Sequence, residues 1–268
     1  MQVTIDISIN HISYLWDAIK FIPECIAMDV DRYSDCKYGD MHSSAILLNE
    51  DNIFIDTNSN IKAGVVIDAT AGPVIIDQNA TIDIGSLVKG PIYIGKNNVV
   101  NPGSKLRGNL SFGPYSKIGG ELSNVIFHGY SNKQHDGFLG NSFIGEWVNL
   151  GANTNNSNLK NNYGDIRVTL KAEYEINTMQ KFIGCFIGDY SRTGISTMLN
   201  SGTVINFGSN VFGAGFQPKY IAPFSWGDSE KVDLDKFLET CNKMKIRRDC
   251  EVSSIEKSFI NNLYKEVV

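Results

Sequence analysis

Hydrophobic positions recur every six residues through the middle of the chain. The spacing begins at Ile76, holds as far as Ile118, and resumes between Ile187 and Val211. The residues on this spacing are Ile76, Ile82, Val88, Ile94, Val100, Leu106, Phe112 and Ile118, then Ile187, Thr193, Leu199, Ile205 and Val211. An α-helix repeats every three or four residues and a simple strand every two, so a period of six predicts a parallel β-helix.

A second, smaller class of residue follows the same spacing. Four places after the hydrophobic residue stands Ala80, Ser86, Ser104, Ser116, Ser191, Thr197, Thr203 or Ser209. Each hexapeptide should form one short strand and one corner of a triangular coil, with the hydrophobic residue pointing inward and the small residue where space is tight. Gly and Asn suit corners that need a positive φ, and coils should stack at about 4.8 Å.

The pattern divides the chain into three parts. We expect a helical arm and connector over 1–60, the β-helix over 61–216, and an extension with helices at about 232–247 and 252–265 over 217–268. The arm should contain one amphipathic helix from His11 to Val30, with Asn10 as its cap and a kink at Pro23, followed by a connector from Asp31 to Asp51.

The period breaks twice, near 124–137 and 155–183, and we interpret both breaks as insertions. Coils of a solenoid contact only their neighbours, so insertions project sideways and often form the binding face. The two breaks flank a short stretch of coil, which predicts that they lie close together and contain the chemistry.

Composition narrows the function classes. The chain has 268 residues and a net charge of 24 − 29 = −5, which gives no electrostatic case for nucleic acid. The first ten residues lack a basic secretory signal, and no apolar stretch approaches the roughly 20 residues of a membrane span. The five cysteines form no CxxC pair, so we expect reduced thiols in a cytoplasmic protein without membrane contact.

One segment carries a family resemblance. The run from His135 to Ala152 resembles the acetyltransferase half of the bifunctional UDP-N-acetylglucosamine pyrophosphorylase/glucosamine-1-phosphate acetyltransferase. That family has a His opening a coil, an aromatic residue three places on, and two Asn residues that correspond to Asn149 and Asn158. The runs Ser131–Tyr163, Ser196–Val204 and Phe224–Gly227 are closer still to a bacterial subfamily described as sugar nucleotidyltransferases, and the similarity covers roughly 50–228.

The resemblance implies a fold and a set of site residues. It implies a left-handed β-helix, an exception to the right-handed crossover rule, and a homotrimer. It implies His135 as general base, because a His titrates near neutrality. Around it the resemblance implies Asn149 and Phe138 as sugar contacts and Asn158, Ala152, Ser196, Gly213, Asn162 and Tyr163 as acyl-CoA contacts. The Asn-Tyr pair of the family matches either Asn158-Leu159 or, with a gap, Asn162-Tyr163.

The chain departs from the family at the sugar. Phe138 stands where the family has a Tyr hydroxyl, and Asn101 replaces its phosphate-binding Arg. The position of the family's Lys on the next coil corresponds to Ser123 or Asn124 in this chain. Lys105, Arg107 and Lys133 are the candidates to take over the phosphate, and the acceptor sugar stays open.

Two functions fit the sequence, and a third is disfavoured. The first is an acetyl-CoA-dependent N-acetyltransferase acting on an amino-sugar phosphate or nucleotide-linked amino sugar, at a site between subunits of a trimer. The alternative is a non-catalytic trimerisation or regulatory half of a sugar-1-phosphate nucleotidyltransferase, whose Gly-rich catalytic motif this chain lacks. A zinc hydratase of the γ-carbonic-anhydrase kind needs three His ligands, yet only His128 and His135 lie in the predicted β-helix, so we predict no metal.

Overall fold

The central part of the chain winds into a parallel β-helix. A computed structural model describes residues 11–36 and 39–267. About ten coils stack in register and enclose one hydrophobic core. The predicted parallel β-helix of hexapeptide repeats with helices at both ends is confirmed, and its left-handed sense stays an expectation from the resemblance.

Three flat faces form the sides of the coil. The first face contains the strands Asp40–Met41, Asn60–Ile61, Thr81–Ile82, Val99–Val100, Lys117–Ile118, Asn132–Lys133, Arg192–Thr193, Asn210–Val211 and Ser225–Trp226. The second face contains Ile46–Leu48, Val66–Asp68, Leu87–Lys89, Lys105–Leu106, Asn155–Asn156 and Met198–Leu199. The third face contains Ile53–Ile55, Val74–Ile76, Ile92–Ile94, Leu110–Phe112, Cys185–Ile187, Thr203–Ile205 and Tyr220–Ile221. Two long strands, Glu121–Gly129 and Phe138–Glu146, run from the second face onto the third.

The six-residue spacing marks the core as predicted. Every hydrophobic position on the spacing is buried, from Ile76 to Ile118 and from Ile187 to Val211. The small residues four places later are also buried. Their hydroxyls bond neighbouring backbone, as Ser86 does to the Asn101 carbonyl at 3.0 Å, so the tight positions carry no unpaired polar group.

The corner that precedes the first face has a left-handed backbone in successive coils. Asn79 and Asn97 occupy it with φ of 58°, as expected for a residue that tolerates this region. Aromatic residues take the same place in later coils and also have positive φ: Tyr115, Tyr130, Trp147 and Tyr190. Their rings stack down the corner, and the Tyr130 and Trp147 centroids lie 4.5 Å apart.

The structure contains no insertion over 124–137. Strand partners in regular coils lie 18 residues apart, as Val99 does from Lys117, whereas Lys117 pairs with Asn132 after only 15. The next coil, from Asn132 to Asn149, has 17 residues. The period breaks here because a coil is shorter, so the interpretation of 124–137 as an insertion is wrong.

The second break contains extra chain. Asn149 pairs with Arg192 after 43 residues, which is 43 − 18 = 25 more than a regular coil. The extra residues carry an antiparallel hairpin, Arg167–Lys171 with Tyr174–Asn177, that packs against the third face.

The N-terminal segment covers the third face with two short helices rather than one. Helix α1 is Leu15–Lys20 and α2 is Ile22–Asp29, followed by a single 3₁₀ turn at Val30–Tyr33. They separate at Phe21 because Pro23 occupies the first turn of α2, where its missing N–H costs nothing. The predicted cap Asn10 lies outside the described residues. The first coil already begins at Asp40, inside the segment predicted as connector.

The C-terminal segment covers the later coils of the first face. Helix α3 is Leu234–Ile246, capped by the Asp233 carboxylate, and α4 is Ser254–Val267. Both pack on the corner aromatics through Phe237 and Ile260. Before α3 the chain reverses, and Glu230–Lys231 pairs antiparallel with Ser225–Trp226.

The second face has no such cover within the described part of the chain. Its outward side chains include Ile46 and Leu87, which are 53 % and 49 % exposed. Met198 and the adjacent Phe216 continue this apolar surface.

Candidate functional site

The predicted base lies at a corner of the β-helix. His135 is exposed and falls between the first-face strand Asn132–Lys133 and the second-face portion that begins at Phe138. The preceding strand fixes this corner, because Asn132 pairs with both Lys117 and Asn149 in the flanking coils.

The coil register places predicted cofactor residues beside His135. Asn132, Asn149, Arg192 and Asn210 are successive partners. The residues three places after each are His135, Ala152, Ile195 and Gly213, which therefore share one corner on adjacent coils, separated by about 4.8 Å per coil. Ser196 is next to this row; its N–H donates to the Ala152 carbonyl at 2.7 Å. We call His135, Ala152, Ile195 and Gly213 the corner row.

Lys133 lies inside the β-helix, at an inward position between Ile118 and Leu150, and it is only 2 % exposed. Its Nζ donates to the carbonyl oxygens of Gly119 at 3.2 Å and His135 at 2.6 Å. Burial lowers the pKa of this ammonium to about 8, against a smaller upward effect of Asp136. The expectation of a sugar-phosphate contact does not fit this position, because the ammonium faces the core and bonds backbone.

Asn149 lies on the first face, three residues before the corner row. Its Oδ1 accepts from Asn132 Nδ2 at 3.5 Å. Three residues of strand span about 10 Å, so the structure does not bring Asn149 into contact with His135 within one chain.

Phe138 and Asn158 meet over a glycine. A Cβ added at Gly140 would lie 2.6 Å from the Phe138 ring and 2.9 Å from Asn158 Nδ2. That amide donates to Asn141 Oδ1 at 2.8 Å, and the Asn158 carbonyl accepts from the Ile183 N–H at 3.0 Å. The two side chains therefore form one small surface where the second face turns into the third.

The two other predicted cations lie on the second face. Lys105, Glu121 and Phe138 are consecutive partners along this face, and Lys105 is exposed. Arg107 donates to the Glu121 carboxylate at 2.6 Å, so its guanidinium is already paired with a carboxylate.

Asn162 and Tyr163 lie in the extra segment of the long coil. The side-chain Oδ1 of Asn162 accepts from the Gly164 N–H at 3.0 Å, and Tyr163 is 66 % exposed with positive φ. Neither side chain contacts the corner row.

A cationic cluster was missed by the sequence interpretation. Lys117, Arg247 and Arg248 line a cavity of about 110 Å³ between the first face and the end of α3, together with Asn149. A sequence signal existed for Lys117, because it directly precedes the inward Ile118 and so must point outward. Nothing in the sequence indicates that the two arginines fold back onto the same face.

The described residues contain neither a cluster of metal ligands nor a membrane-spanning helix. No group of three or more His, Cys, Asp or Glu side chains is arranged to hold a metal ion in residues 11–36 and 39–267. Across the same ranges, no helix combines the length and apolar character needed to cross a membrane.

Comparison with known proteins supports the sequence resemblance. No family model matches the chain. A bifunctional sugar-1-phosphate nucleotidylyltransferase/acetyltransferase of Sulfurisphaera tokodaii is 34 % identical over 166 residues, which is 60 % of this chain and 40 % of that protein. The chain thus spans less than half the length of the curated relative it matches.

Solved structures with related shapes are more distant. A UDP-N-acetylglucosamine acyltransferase from Campylobacter jejuni has 14 % identity and a TM-score of 0.31, covering 85 % of this chain and 91 % of that one. A hexapeptide transferase family protein from Anaplasma phagocytophilum has 13 % identity and a TM-score of 0.16, covering 78 % and 87 %. At these values neither structure supports an argument about activity.

The relative confirms the resemblance predicted from the run between His135 and Ala152. By its fold and by this relative, the chain is a hexapeptide-repeat β-helix similar to a bifunctional sugar-1-phosphate nucleotidylyltransferase/acetyltransferase.

Proposed function

We propose that this chain is a hexapeptide-repeat acyltransferase that moves an acetyl group from acetyl-CoA to the amine of an amino-sugar phosphate or nucleotide-linked amino sugar. The observation that carries the proposal is the corner row, where an exposed His135 stands one coil from Ala152 and in line with Gly213. The name of the 34 % identical relative supports the acetyl-transfer class.

The chemistry assigned to the row is a single acyl transfer. His135 accepts the proton of the sugar amine as the nitrogen attacks the thioester carbonyl; a C–N bond forms, the C–S bond breaks, and the CoA sulfur leaves. The Ala152 N–H donates to no protein acceptor among the residues described, so it is available for charge developing on the thioester oxygen. Ser196 and Gly213 would line the path of the pantetheine.

Lys133 takes a different role in this proposal from the one first expected. Its ammonium holds the carbonyl of His135 from inside the coil, so we assign it as a positioning residue for the corner. Phe138 and Asn158 would contact substrate beside the corner row. Of the three cations predicted for an acceptor phosphate, Lys105 is the one that this proposal keeps in that role.

A homotrimer completes this site in the proposal. The corner row borders the second face, whose apolar side chains Leu87 and Met198 have no cover within the described ranges. A partner packed there would bring its own residues close to His135.

The second candidate function is a non-catalytic trimerisation or regulatory half of a sugar-1-phosphate nucleotidyltransferase. Two observations favour it: Phe138 has no hydroxyl for a substrate, and Lys133 is buried at 2 % exposure. A module of this kind would not bind acetyl-CoA, so acetyl-CoA would leave its melting temperature unchanged.

The deciding experiment is product formation from acetyl-CoA and a panel of amino-sugar phosphates and nucleotide-linked amino sugars, read by mass spectrometry. We expect an acetylated sugar from the wild type and at least a 100-fold loss of rate in His135→Ala, since a general base contributes about 10²–10⁴-fold. His128→Ala is the matched control, because His128 is also exposed but lies in the third-face part of the strand Glu121–Gly129, away from the corner row.

The outcomes separate the two candidates. Equal loss of rate in both variants, or loss of the melting transition in His135→Ala, would remove His135 as the base. No product across the panel, with no acetyl-CoA effect on melting, would favour the non-catalytic module.

A further inference from the structure

A small cavity on the first face collects positive charge that the proposed reaction does not use. It has a volume of about 110 Å³ and lies under the C-terminal end of α3. The cationic and amide side chains that line it are Lys117, Asn132, Gln134, Asn149, Arg247 and Arg248. The β-helix supplies the first four residues and the end of α3 supplies the arginines, so two separate parts of the fold converge here.

The charges in this cavity have no counter-charge. No acidic side chain lines it, and in the described ranges none of its three cations forms an ion pair with a carboxylate. In the described ranges the Arg248 guanidinium makes one hydrogen bond, from Nη2 to Asn132 Oδ1 at 3.4 Å. Asp249 and Glu251 follow in the chain, but neither contributes to the lining.

The pKa of Lys117 shows that the positive charges in the cavity affect one another. Burial and then the positive charges of Arg248 and Arg247 lower the pKa of its ammonium. Arginines at a helix C-terminus are themselves favoured by the helix dipole. That preference does not explain the lysine, which approaches from the strand beneath and faces both guanidinium groups.

We propose that this cavity is a binding site for a phosphate-class anion. A guanidinium matches the oxygens of a phosphate in a bidentate fashion, and the amides of Asn132, Gln134 and Asn149 add neutral donors. The volume is a few times the roughly 30 Å³ share of one water, which suits one phosphate group rather than a whole nucleotide. The site does not depend on the acyltransferase proposal.

Two kinds of ligand would bring a phosphate group to this cavity. A free phosphate ion would fill the cavity alone, whereas a larger ligand that placed its phosphate there would extend along the first face towards His135, the residue after Gln134 of the lining. Inorganic phosphate and glucose 1-phosphate are therefore the two probes, and neither requires catalysis.

The test is calorimetric titration of the full chain with each probe, at constant ionic strength held by chloride. We expect saturable binding of phosphate to the wild type and at least a tenfold higher Kd in Arg248→Gln. Lys117→Gln should weaken binding similarly from the β-helix side. Lys243→Gln is the matched control, because it removes one positive charge from the last turn of α3, just before the arginines, at a site 70 % exposed that does not line the cavity, and it should leave the Kd within twofold.

Each outcome decides the proposal. Tighter binding of glucose 1-phosphate than of phosphate, lost in Arg248→Gln, supports the site and identifies a larger ligand; equal affinity supports it and identifies the free ion. No phosphate binding above the chloride background overturns the proposal, as does an unchanged Kd in both Arg248→Gln and Lys117→Gln. Because no acetyl-CoA is present, failure here leaves the acyltransferase proposal standing.

Discussion

Lys133 is a charged residue at a position that the fold reserves for hydrophobic side chains. Its neighbours in the same inward row are Ile118 and Leu150. The ammonium is accommodated because the carbonyl oxygens of Gly119 and His135 accept its protons. Burial still disfavours the charged form and lowers the pKa from 10.5 to about 8, so the position contributes to a pH dependence of stability.

We expect Lys133→Met to remove that pH dependence. Between pH 8 and 10.5 the unfolded chain holds a proton on this lysine that the folded chain has released, so stability rises with pH over this window. The unfolding free energy of the wild type, minus that of the variant, should rise by about 2 kcal/mol between pH 7.5 and 9.5. Urea denaturation at several pH values measures it.

The matched control is Lys105→Met, which removes an exposed lysine that forms no ion pair among the described residues. Its difference from the wild type should not change with pH. A flat difference for Lys133→Met would mean that water or backbone motion keeps this ammonium solvated in the folded state.

The aromatic corner is the element that joins the β-helix to the C-terminal helices. Trp147 stacks on Tyr130 at 4.5 Å, and Lys245 of α3 lies over its ring at 5.4 Å. The Tyr190 hydroxyl donates to Glu256 of α4, which also accepts from Lys245. Ring stacking and a shared carboxylate thus attach both helices to one edge of the coil.

We expect Trp147→Ala to loosen this attachment. Removing a buried Trp costs about 3–5 kcal/mol, and coils that contact only their neighbours confine the damage to the C-terminal side. Limited proteolysis should cleave within 232–267 faster than in the wild type, while the circular dichroism of the β-helix persists. Trp226→Ala, at a site 45 % exposed, is the control; an equal effect of both variants would contradict the assignment.

The sequence predicted the regular coils of the β-helix well and its two irregular coils poorly. A fixed six-residue spacing reports burial directly, because each coil repeats the same environment for Ile82, Val100 and Ile118. A shortened coil and an inserted hairpin disrupt that spacing in the same way, so 124–137 and 155–183 looked alike. The difference appears only in the strand partners, Lys117 with Asn132 against Asn149 with Arg192.

The same reasoning applies to the site. The row from His135 to Gly213 follows from coil register, which the spacing already contains. The inward orientation of Lys133 could also have been inferred, since it stands 15 residues after Ile118, but only if the length of the short coil were known. The approach of Arg248 to Asn132 joins residues 116 positions apart, and no periodicity reports it.

At the scale of the whole molecule, the faces are unequally covered. Helices α1 and α2 with the hairpin cover the third face, and α3 and α4 cover the later coils of the first. The second face keeps a row of exposed apolar residues in the described structure, and a patch of this kind marks an interface. The proposed trimer would use it.

We expect the wild type to have a solution mass of three times 29.6 kDa by light scattering. Leu87→Lys should shift that mass towards the single chain, because a charge buried in an interface without a partner is costly. Ile255→Lys, at a site 82 % exposed on α4, should leave it unchanged. If Leu87→Lys kept the solution mass of the wild type, the interface would not include this part of the second face.

The reversed strand at the end of the β-helix affects head-to-tail association between copies of the chain. A parallel coil ends in open backbone donors and acceptors, which can template the first coil of another copy and so extend head to tail into a filament. Glu230–Lys231 pairs antiparallel with Ser225–Trp226 and occupies part of that edge with a strand of opposite direction and two charged side chains. The turn thus acts as a terminator that favours closed assemblies of defined size over fibrous growth.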